Sequence, residues 1–474
     1  MILATFIIVL TIIVLSGLRA GLKSGKDQEG YYLAGANSPP WLTAFAAAAT
    51  LNSGYVFTGF IGFTYLGGLQ TIWLSVGWIL GDFIASLFIY KQLRVARDRT
   101  DQISFAAVLG TWNGGNYKWF RRLAALITVI FLSLYASAQI AAGGKALFAT
   151  VDIDPTLGAL ITVGLVLGYG ALGGVGASMW ANAMQFIVML CAMAILVVTA
   201  LSTIGGFGVV VETLGRIEGY LTLWPETGLA GPLTGGVLFI IGWIFAGFSI
   251  VGQPHIMTIY MTLEDPEKIK ETRVWYYSFY TVFTALAIAA GLLARVLLPE
   301  LAGTDPELAL STMARDLLPA IFVGVILAGI FSATLSTIDS LVLASSAAIT
   351  NEVGANIIDK SWKMRALTAI ITIGALLIAL SGNKSVFSIV IISWSSLGSA
   401  FGPIMTVYAL RRRLSEISAI FVAIVGVSVA LIWREMGLHN DIYEGFPGIG
   451  VGLILAWLLS SPVKPPAGKV QIEP

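Results

Sequence analysis

The chain has 474 residues, 57% hydrophobic and 11% charged, with a net charge of +1 and mean hydropathy +0.87. A soluble domain carries about 25% charged residues, so the bilayer is the natural solvent, and the near-neutral balance gives no sign of a nucleic-acid partner. Cys191 is the only cysteine, which excludes disulfides within the chain, cysteine metal clusters and thiol redox pairs.

The first apolar stretch, Ile2 to Ala20, differs from a signal peptide because Arg19, Lys23 and Lys26 follow it rather than precede it. It reads as a retained first helix with its N-terminus outside. A spanning helix needs about 20 apolar residues. On that measure thirteen spans follow, at 2–20, 41–66, 69–92, 120–147, 156–175, 178–204, 233–258, 273–298, 318–350, 365–383, 385–410, 414–434 and 447–461.

The loop charges agree with the alternation. One side holds Lys23, Lys26, Arg94, Arg97, Arg99, Lys118, Arg121 and Arg122, then Lys268, Lys270, Arg273, Lys360, Lys363, Arg365, Arg411, Arg412, Arg413, Lys464 and Lys469. The other is mostly acidic, with Asp152, Asp154, Glu212, Glu218, Glu226, Glu300, Asp305, Glu307, Asp316 and Asp441. The excess of Lys and Arg puts the basic side and the C-terminus in the cytoplasm of an inner-membrane protein. The longest loops, near 93–119, 205–232 and 299–317, are expected to hold short interfacial helices. No stretch is long enough for an appended output domain, which disfavours a solute sensor. Two widely separated histidines, His255 and His439, disfavour an intramembrane enzyme, and no enzymatic activity is expected.

Two spans carry interruptions at corresponding places. The second contains Asn52-Ser53-Gly54, and the seventh contains Gly252-Gln253-Pro254-His255. Proline removes a backbone donor and glycine tolerates an opened backbone. Carbonyls freed in this way can ligate a cation where they face a cavity. Five spans separate the two breaks, as two inverted repeats with a midplane binding site require. A proline kink and a packing glycine are the plainer reading of each break alone. In the ninth span, Ala333, Ser336, Thr337 and Ser340 share one helical face. Neutral oxygens suit sodium as they suit other hard cations, although hydroxyls in spans also bond back to their own helix. Asp339 adds an intramembrane carboxylate, a functional candidate by default.

With these residues in view, the chain resembles the solute:sodium symporters, with sodium/proline symporters the nearest branch. The resemblance runs in order through Tyr32-Leu33-Ala34-Gly35, Ser53-Gly54 with Gly59-Phe60-Ile61-Gly62, and Tyr135 with Gly143-Gly144-Lys145. It continues through Gly252-Gln253-Pro254-His255, Ser336-Thr337, Ser345-Ser346-Ala347 and Ser385-Val386-Phe387, to Ala400-Phe401-Gly402-Pro403 and Tyr443-Glu444 before Pro447-Gly448. It implies an all-α polytopic membrane protein of thirteen helices in a LeuT-like five-plus-five inverted repeat. The parts are then an extra helix and loop at 1–40, repeats at 41–204 and 233–410, and two last helices at 411–474. It also implies a sodium-coupled symporter in the bilayer that imports a small solute by alternating access; a monomer is possible and the oligomeric state is left open.

By the same resemblance, Na+ is held by the backbone oxygens of Ala49, Asn52 and Ala333 and the hydroxyls of Ser336 and Thr337. The solute would meet Ser53, Gly54, Tyr135, Gln139, Ala246, Ile250, Gln253, Pro254 and His255. Three departures stand out. Leu51 replaces an aspartate of proline symporters; Ala246 and Ile250 replace a Trp and a Tyr, with Trp243 displaced by nearly a turn. The third is at a second sodium site, where some members have an aspartate on the sixth span but this chain has Asn182, while a hydroxyl position on the ninth has become Asp339. Either Asp339 carries the missing charge across to join Asn182 and Ser340, or that site is lost. Proline or a related zwitterion is expected; monocarboxylates, pantothenate-like acids, sugars, and proton coupling through Asp339 or Asp82 are the alternatives. Asp82, inside the third span, lines the pathway or pairs with a neighbour such as Lys145. His439 is expected in a solvated external loop.

Overall fold

The computed structural model describes residues 1–21, 28–225, 231–353, 361–382 and 385–463. Lys23, Lys26, Glu226, Lys360, Lys464 and Lys469 therefore lie outside the described residues. The first half of the chain comprises α1 (Ile2–Gly21), α2 (Gln28–Leu33), α3 (Pro40–Leu51), α4 (Ile61–Gly67), α5 (Ile72–Thr100), α6 (Phe105–Thr111), α7 (Lys118–Val151), α8 (Pro155–Ile204) and α9 (Phe207–Gly215). The second comprises α10 (Pro232–Phe248), α11 (Pro254–Met261), α12 (Ile269–Leu297), α13 (Ala309–Leu317), α14 (Ala320–Val353), α15 (Ser361–Leu380), α16 (Val386–Ala409), α17 (Glu416–Glu435) and α18 (Gly445–Leu459). The short α6, α9 and α13 fall in the three long loops where interfacial helices were expected.

Among the described residues, nine helices are long and apolar enough to cross a membrane, judged by length and composition. Four shorter apolar helices, Ile2–Ile13, Pro40–Leu51, Pro155–Leu167 and Gly445–Leu459, lie where further spans were expected. The fifth and sixth expected spans fall on α8, which divides into two helical parts at Gly174, where the backbone leaves the helical region. Its φ of +63° is open to glycine, and a side chain there would meet the Tyr31 carbonyl at 2.5 Å.

Close backbone approach, rather than interdigitated large side chains, joins α5 to α10. A Cβ on Gly81 would lie 1.9 Å from the Ile244 carbonyl, and one on Gly247 would lie 2.0 Å from that of Trp78. This is the small-residue packing that membranes favour, since lipid offers no hydrophobic gain for helix association. The most deeply enclosed helix is α14, packed against α7, α8, α1 and α3. Its polar stripe therefore faces protein rather than lipid.

The bundle is latched at both ends. Where α3 begins and α11 ends, Ser38 N–H donates to Thr262 O (2.9 Å) and Glu264 N–H donates to Ser38 O (3.0 Å). The Arg94 guanidinium braces this bridge by donating to Leu263 O at 2.5 Å. Arg97 pairs with Glu29, and Lys91 with Glu267. At the opposite end Lys145 Nζ reaches Asp305 (2.8 Å) and Glu307 (2.7 Å). Glu307 also accepts from the Ser385 hydroxyl (2.6 Å) and the N–H groups of Val386 (3.3 Å) and Phe387 (3.2 Å). Its carboxylate thus caps α16 at the end where the helix dipole favours negative charge. Phe387 then stacks on Phe63 at 4.7 Å, over Gly59, where an added Cβ would meet its backbone at 3.1 Å.

Replacing Glu307 with Gln removes the ion pair and weakens the cap, leaving Lys145 with Asp305 alone. The expected cost is about 1–3 kcal/mol, read as a lower unfolding temperature in detergent that Asp305→Asn, at the more exposed partner, does not match. Equal stability of Glu307→Gln and wild type would contradict the latch.

Candidate functional site

The first break forms because α3 stops at Asn52, whose backbone has left the helical region (φ −82°, ψ 60°). Its N–H and its Nδ2 both donate to the Ala48 carbonyl, each at 2.9 Å. The chain then restarts as a single π-turn over Val56–Phe60 before α4. The last turn of a helix leaves its carbonyls without intrahelical partners, and this turn contains Ala49, Thr50, Leu51 and Asn52. At the second break, α10 tightens into a 3₁₀ turn over Ser249–Gly252, Gln253 is extended, and Pro254 opens α11. Gly252 is forced by the close passage of α16, since an added Cβ would lie 2.5 Å from Leu397 O.

The end of α3 docks on the hydroxyl stripe of α14. Thr337 Oγ1 lies 3.2 Å from Thr50 O and 3.0 Å from Ala333 O, and the Ser336 hydroxyl lies 2.9 Å from Ala333 O. All of these residues are fully buried. Carbonyls at the negative end of a helix dipole, gathered with two hydroxyls and shielded from water, make a neutral oxygen-rich setting that fits a hard monovalent cation. Thr50 was not singled out from sequence, yet it ties three helices together. Its hydroxyl is 3.3 Å from Ser340 Oγ and accepts from Asn182 Nδ2 at 3.2 Å.

Asn182 and Ser340 are thus brought together, 3.5 Å apart, with Ser178 also 3.5 Å from the amide. Asp339 is buried nearby on α14 with Ser178 beside its carboxylate, and among the described residues it makes no hydrogen bond with Asn182. A cavity of about 10 Å³ lies beside this cluster, bordered by Ser178, Asn182, His255 and Ser340.

Residues expected to meet solute converge between the breaks. Ser53 Oγ is 3.2 Å from Tyr135 OH. Gly54 lets Thr334 and Gln139 approach, since an added Cβ would lie 2.6 and 3.0 Å from their side-chain oxygens. The His255 ring stands edge-on to Tyr135 (5.7 Å) and Trp394 (6.4 Å). Among the described residues, both nitrogens of His255, both polar atoms of Gln139 and the Gln253 side-chain oxygen are buried without partners. Gln253 Nε2 donates to Ser249 O (3.1 Å) and Trp394 O (2.9 Å). Ala246 and Ile250 are fully buried; Ala246 offers its carbonyl to Trp394 Nε1 at 2.8 Å. An indole from α16 therefore stands against the position where proline symporters carry theirs on the seventh span. Sequence reading missed Trp394; the signal available was a lone tryptophan in the serine-rich run Ser393 to Ser396.

Two secondary expectations change. Asp82 does not pair with Lys145: its carboxylate accepts from Tyr90 and from Tyr276 (2.8 Å). Lys145 lies instead in the Asp305–Glu307 latch, because the tyrosines on α5 and α12 reach Asp82 within its own layer. His439 is not a freely solvated group; its Nδ1 sits 3.1 Å from the Arg434 carbonyl, partly buried.

Comparison with known proteins gives the family and the fold. The model of the sodium:solute symporter family matches residues 31–426. The osmoregulated proline transporter OpuE of Bacillus subtilis is 27% identical over 457 residues, covering 94% of this chain and 92% of that protein. A sodium/proline symporter of Staphylococcus aureus is 25% identical over 463 residues, covering 94% and 89%. Among solved structures, a Na+-coupled sialic acid symporter in a substrate-bound outward-open state superposes with a TM-score of 0.79 at 17% identity, covering 98% of this chain and 99% of that one. The fold is LeuT-like, and the chain is a transporter rather than an enzyme. It belongs to the sodium:solute symporter family, with sodium as its coupling ion.

Proposed function

We propose that the protein imports a small zwitterionic solute, proline or a related amino acid, together with sodium by alternating access. The observation that carries the reading is the joint between the end of α3 and the α14 stripe, where Thr337 bridges Thr50 and Ala333. Sodium would be held there by the carbonyls of Ala49, Asn52 and Ala333 and the hydroxyls of Ser336 and Thr337. The solute would lie between the breaks, against Ser53, Gly54, Tyr135, Gln139, Gln253, Pro254 and His255, with Ala246 and Ile250 behind Trp394. The relatives' names support a proline-like solute, and the uncharged hydrogen-bonding groups in this region suit a zwitterion.

Coupling requires sodium to bind the two states with different affinity, since equal affinity shifts nothing. A cation bridging α3 and α14 stabilises one arrangement of those helices and so meets that condition. Inward movement of each charge gains about 2.3 kcal/mol per 100 mV. In this reading the four shorter apolar helices complete thirteen spans, with repeats at 41–204 and 233–410. The N-terminus is outside and the C-terminus cytoplasmic, in an inner membrane, and a monomer suffices because the whole path lies within one chain.

A second reading adds an ion. The Asp339 carboxylate lies beside Ser178 at the Asn182–Ser340–Thr50 cluster, so a second sodium, or a proton, would be received there.

In proteoliposomes, wild type is expected to take up L-proline only with an inward sodium gradient. Thr337→Ala, lacking one ligating hydroxyl, should raise the sodium concentration for half-maximal uptake about tenfold. An unchanged sodium dependence would sink the assigned site. For Asp339, the expected sodium Hill coefficient is about two in wild type and about one in Asp339→Ala. A value near one in both contradicts a second sodium, and sodium-free uptake driven by a pH gradient would favour the proton.

A further inference from the structure

The cations at the basic end of the bundle divide into two groups. Lys91, Arg94, Arg97 and Arg121 reach carboxylates, on Glu267, Asp98, Glu29 and Glu352. Lys118, Arg122, Arg411 and Arg413 are exposed and, among the described residues, have no carboxylate partner. The fold gathers this second group. Tyr117 O–H donates to Leu414 O (2.7 Å), and Glu416 Oε1 accepts from the N–H groups of Trp119 (2.6 Å) and Phe120 (3.2 Å). The start of α7 is thus fastened beside the arginine run that joins α16 to α17.

That run sits on a fixed backbone. Arg411 takes a left-handed φ of +57°, which residues other than glycine rarely adopt, and its carbonyl accepts from Val463 N–H at 2.9 Å. Arg412 and Arg413 pair antiparallel with Pro462 and Ser461. Arg412 is engaged by the protein itself: it donates to Ser460 Oγ (2.7 Å) and Ser460 O (2.8 Å) and covers the Trp457 ring at 4.1 Å. The surface alongside is apolar, with Trp119 67%, Trp457 53% and Ile417 80% exposed. Leu126 and Ile130 continue the exposed stripe along α7, and Phe421 and Ile424 along α17, at helical spacing. Such stripes on spanning helices face acyl chains, and tryptophan marks the headgroup level. Arg122 lies over the Trp119 ring at 5.0 Å, which holds its charge at that same level. Phosphate is the complementary group, because guanidinium N–H donors bind it through charge-assisted hydrogen bonds. A lipid with a net negative charge gains most, since a zwitterionic headgroup brings a cation of its own.

We propose that the start of α7 and the α16–α17 turn form a docking surface for an anionic phospholipid. Lys118, Arg122, Arg411 and Arg413 receive its phosphate, and the apolar stripes of α7 and α17 receive its acyl chains. The bound lipid fastens the end of α16 opposite the one that Glu307 caps. The surface stands apart from the sodium and solute residues, so it does not depend on which solute is carried.

The test is native mass spectrometry of the full-length protein, titrated from detergent with dioleoyl phosphatidylglycerol or dioleoyl phosphatidylcholine. Wild type is expected to bind phosphatidylglycerol at least tenfold more tightly. The pair Arg411→Gln and Arg413→Gln, and separately the pair Lys118→Gln and Arg122→Gln, should each raise its Kd about tenfold and leave phosphatidylcholine binding unchanged. Arg216→Gln, in the loop after α9, should behave as wild type. Restoring the charge with Arg411→Lys and Arg413→Lys should recover most of the affinity, which separates lost charge from misfolding. Equal binding of the two lipids by wild type would overturn the proposal, and so would wild-type affinity for phosphatidylglycerol in both Gln pairs. If glycerol 3-phosphate binds as tightly as the lipid, the patch is a site for soluble anions and the lipid assignment fails.

Discussion

A backbone carbonyl has no water to bond inside a bilayer, so a helix that stops at membrane depth must end against other protein. The architecture around the two breaks follows from that constraint. The end of α3 is received by the hydroxyls of α14, through Thr337 to Thr50. Gln253 in the second break is tied instead to its own turn and to α16, through Ser249 O and Trp394 O. The first of these bonds explains why α14 carries hydroxyls on a buried face. Small residues, Gly54 and Gly252, stand at the breaks where neighbouring helices pass close by. The proposed site for a hard cation would be a by-product of solving the backbone problem with oxygens.

The same geometry links the site to both ends of the molecule. The Ser38–Thr262–Glu264 bridge joins the start of α3 to the end of α11, so these two half-helices are coupled at one end. At the other end Glu307 and Lys145 hold the start of α16, and Phe387 closes over Gly59 and Phe63. Trp394 lies on the same α16, two turns further along, against Ala246 and His255. A shift of α16 would therefore loosen the end latch and the aromatic wall together. In the proposed site, ion binding at the α3–α14 joint would bias α3, whose far end carries the Ser38 bridge.

Much of this was legible in the sequence. Apolar length and charge segregation marked the spans, because burial in lipid demands long uncharged runs. Glycine and proline marked both breaks, because few other residues tolerate an opened helix. The i, i+3, i+4, i+7 hydroxyls of α14 marked the face that meets α3. What escaped were features set by tertiary packing. Thr50 reads as an ordinary small residue until α8 and α14 close around it. Trp394 looks like a packing aromatic until its neighbours show which space it borders, and the tyrosines around Asp82 come from two separate helices.

The central claim is that sodium acts by joining the end of α3 to α14. Hydrogen–deuterium exchange of the reconstituted protein, compared in sodium and in potassium without solute, reads that joint directly. Slower exchange in sodium is expected for amides from Ala49 to Gly54 and from Ala333 to Ser340, with α17 and α18 unchanged. Equal exchange of both segments in the two cations would contradict it.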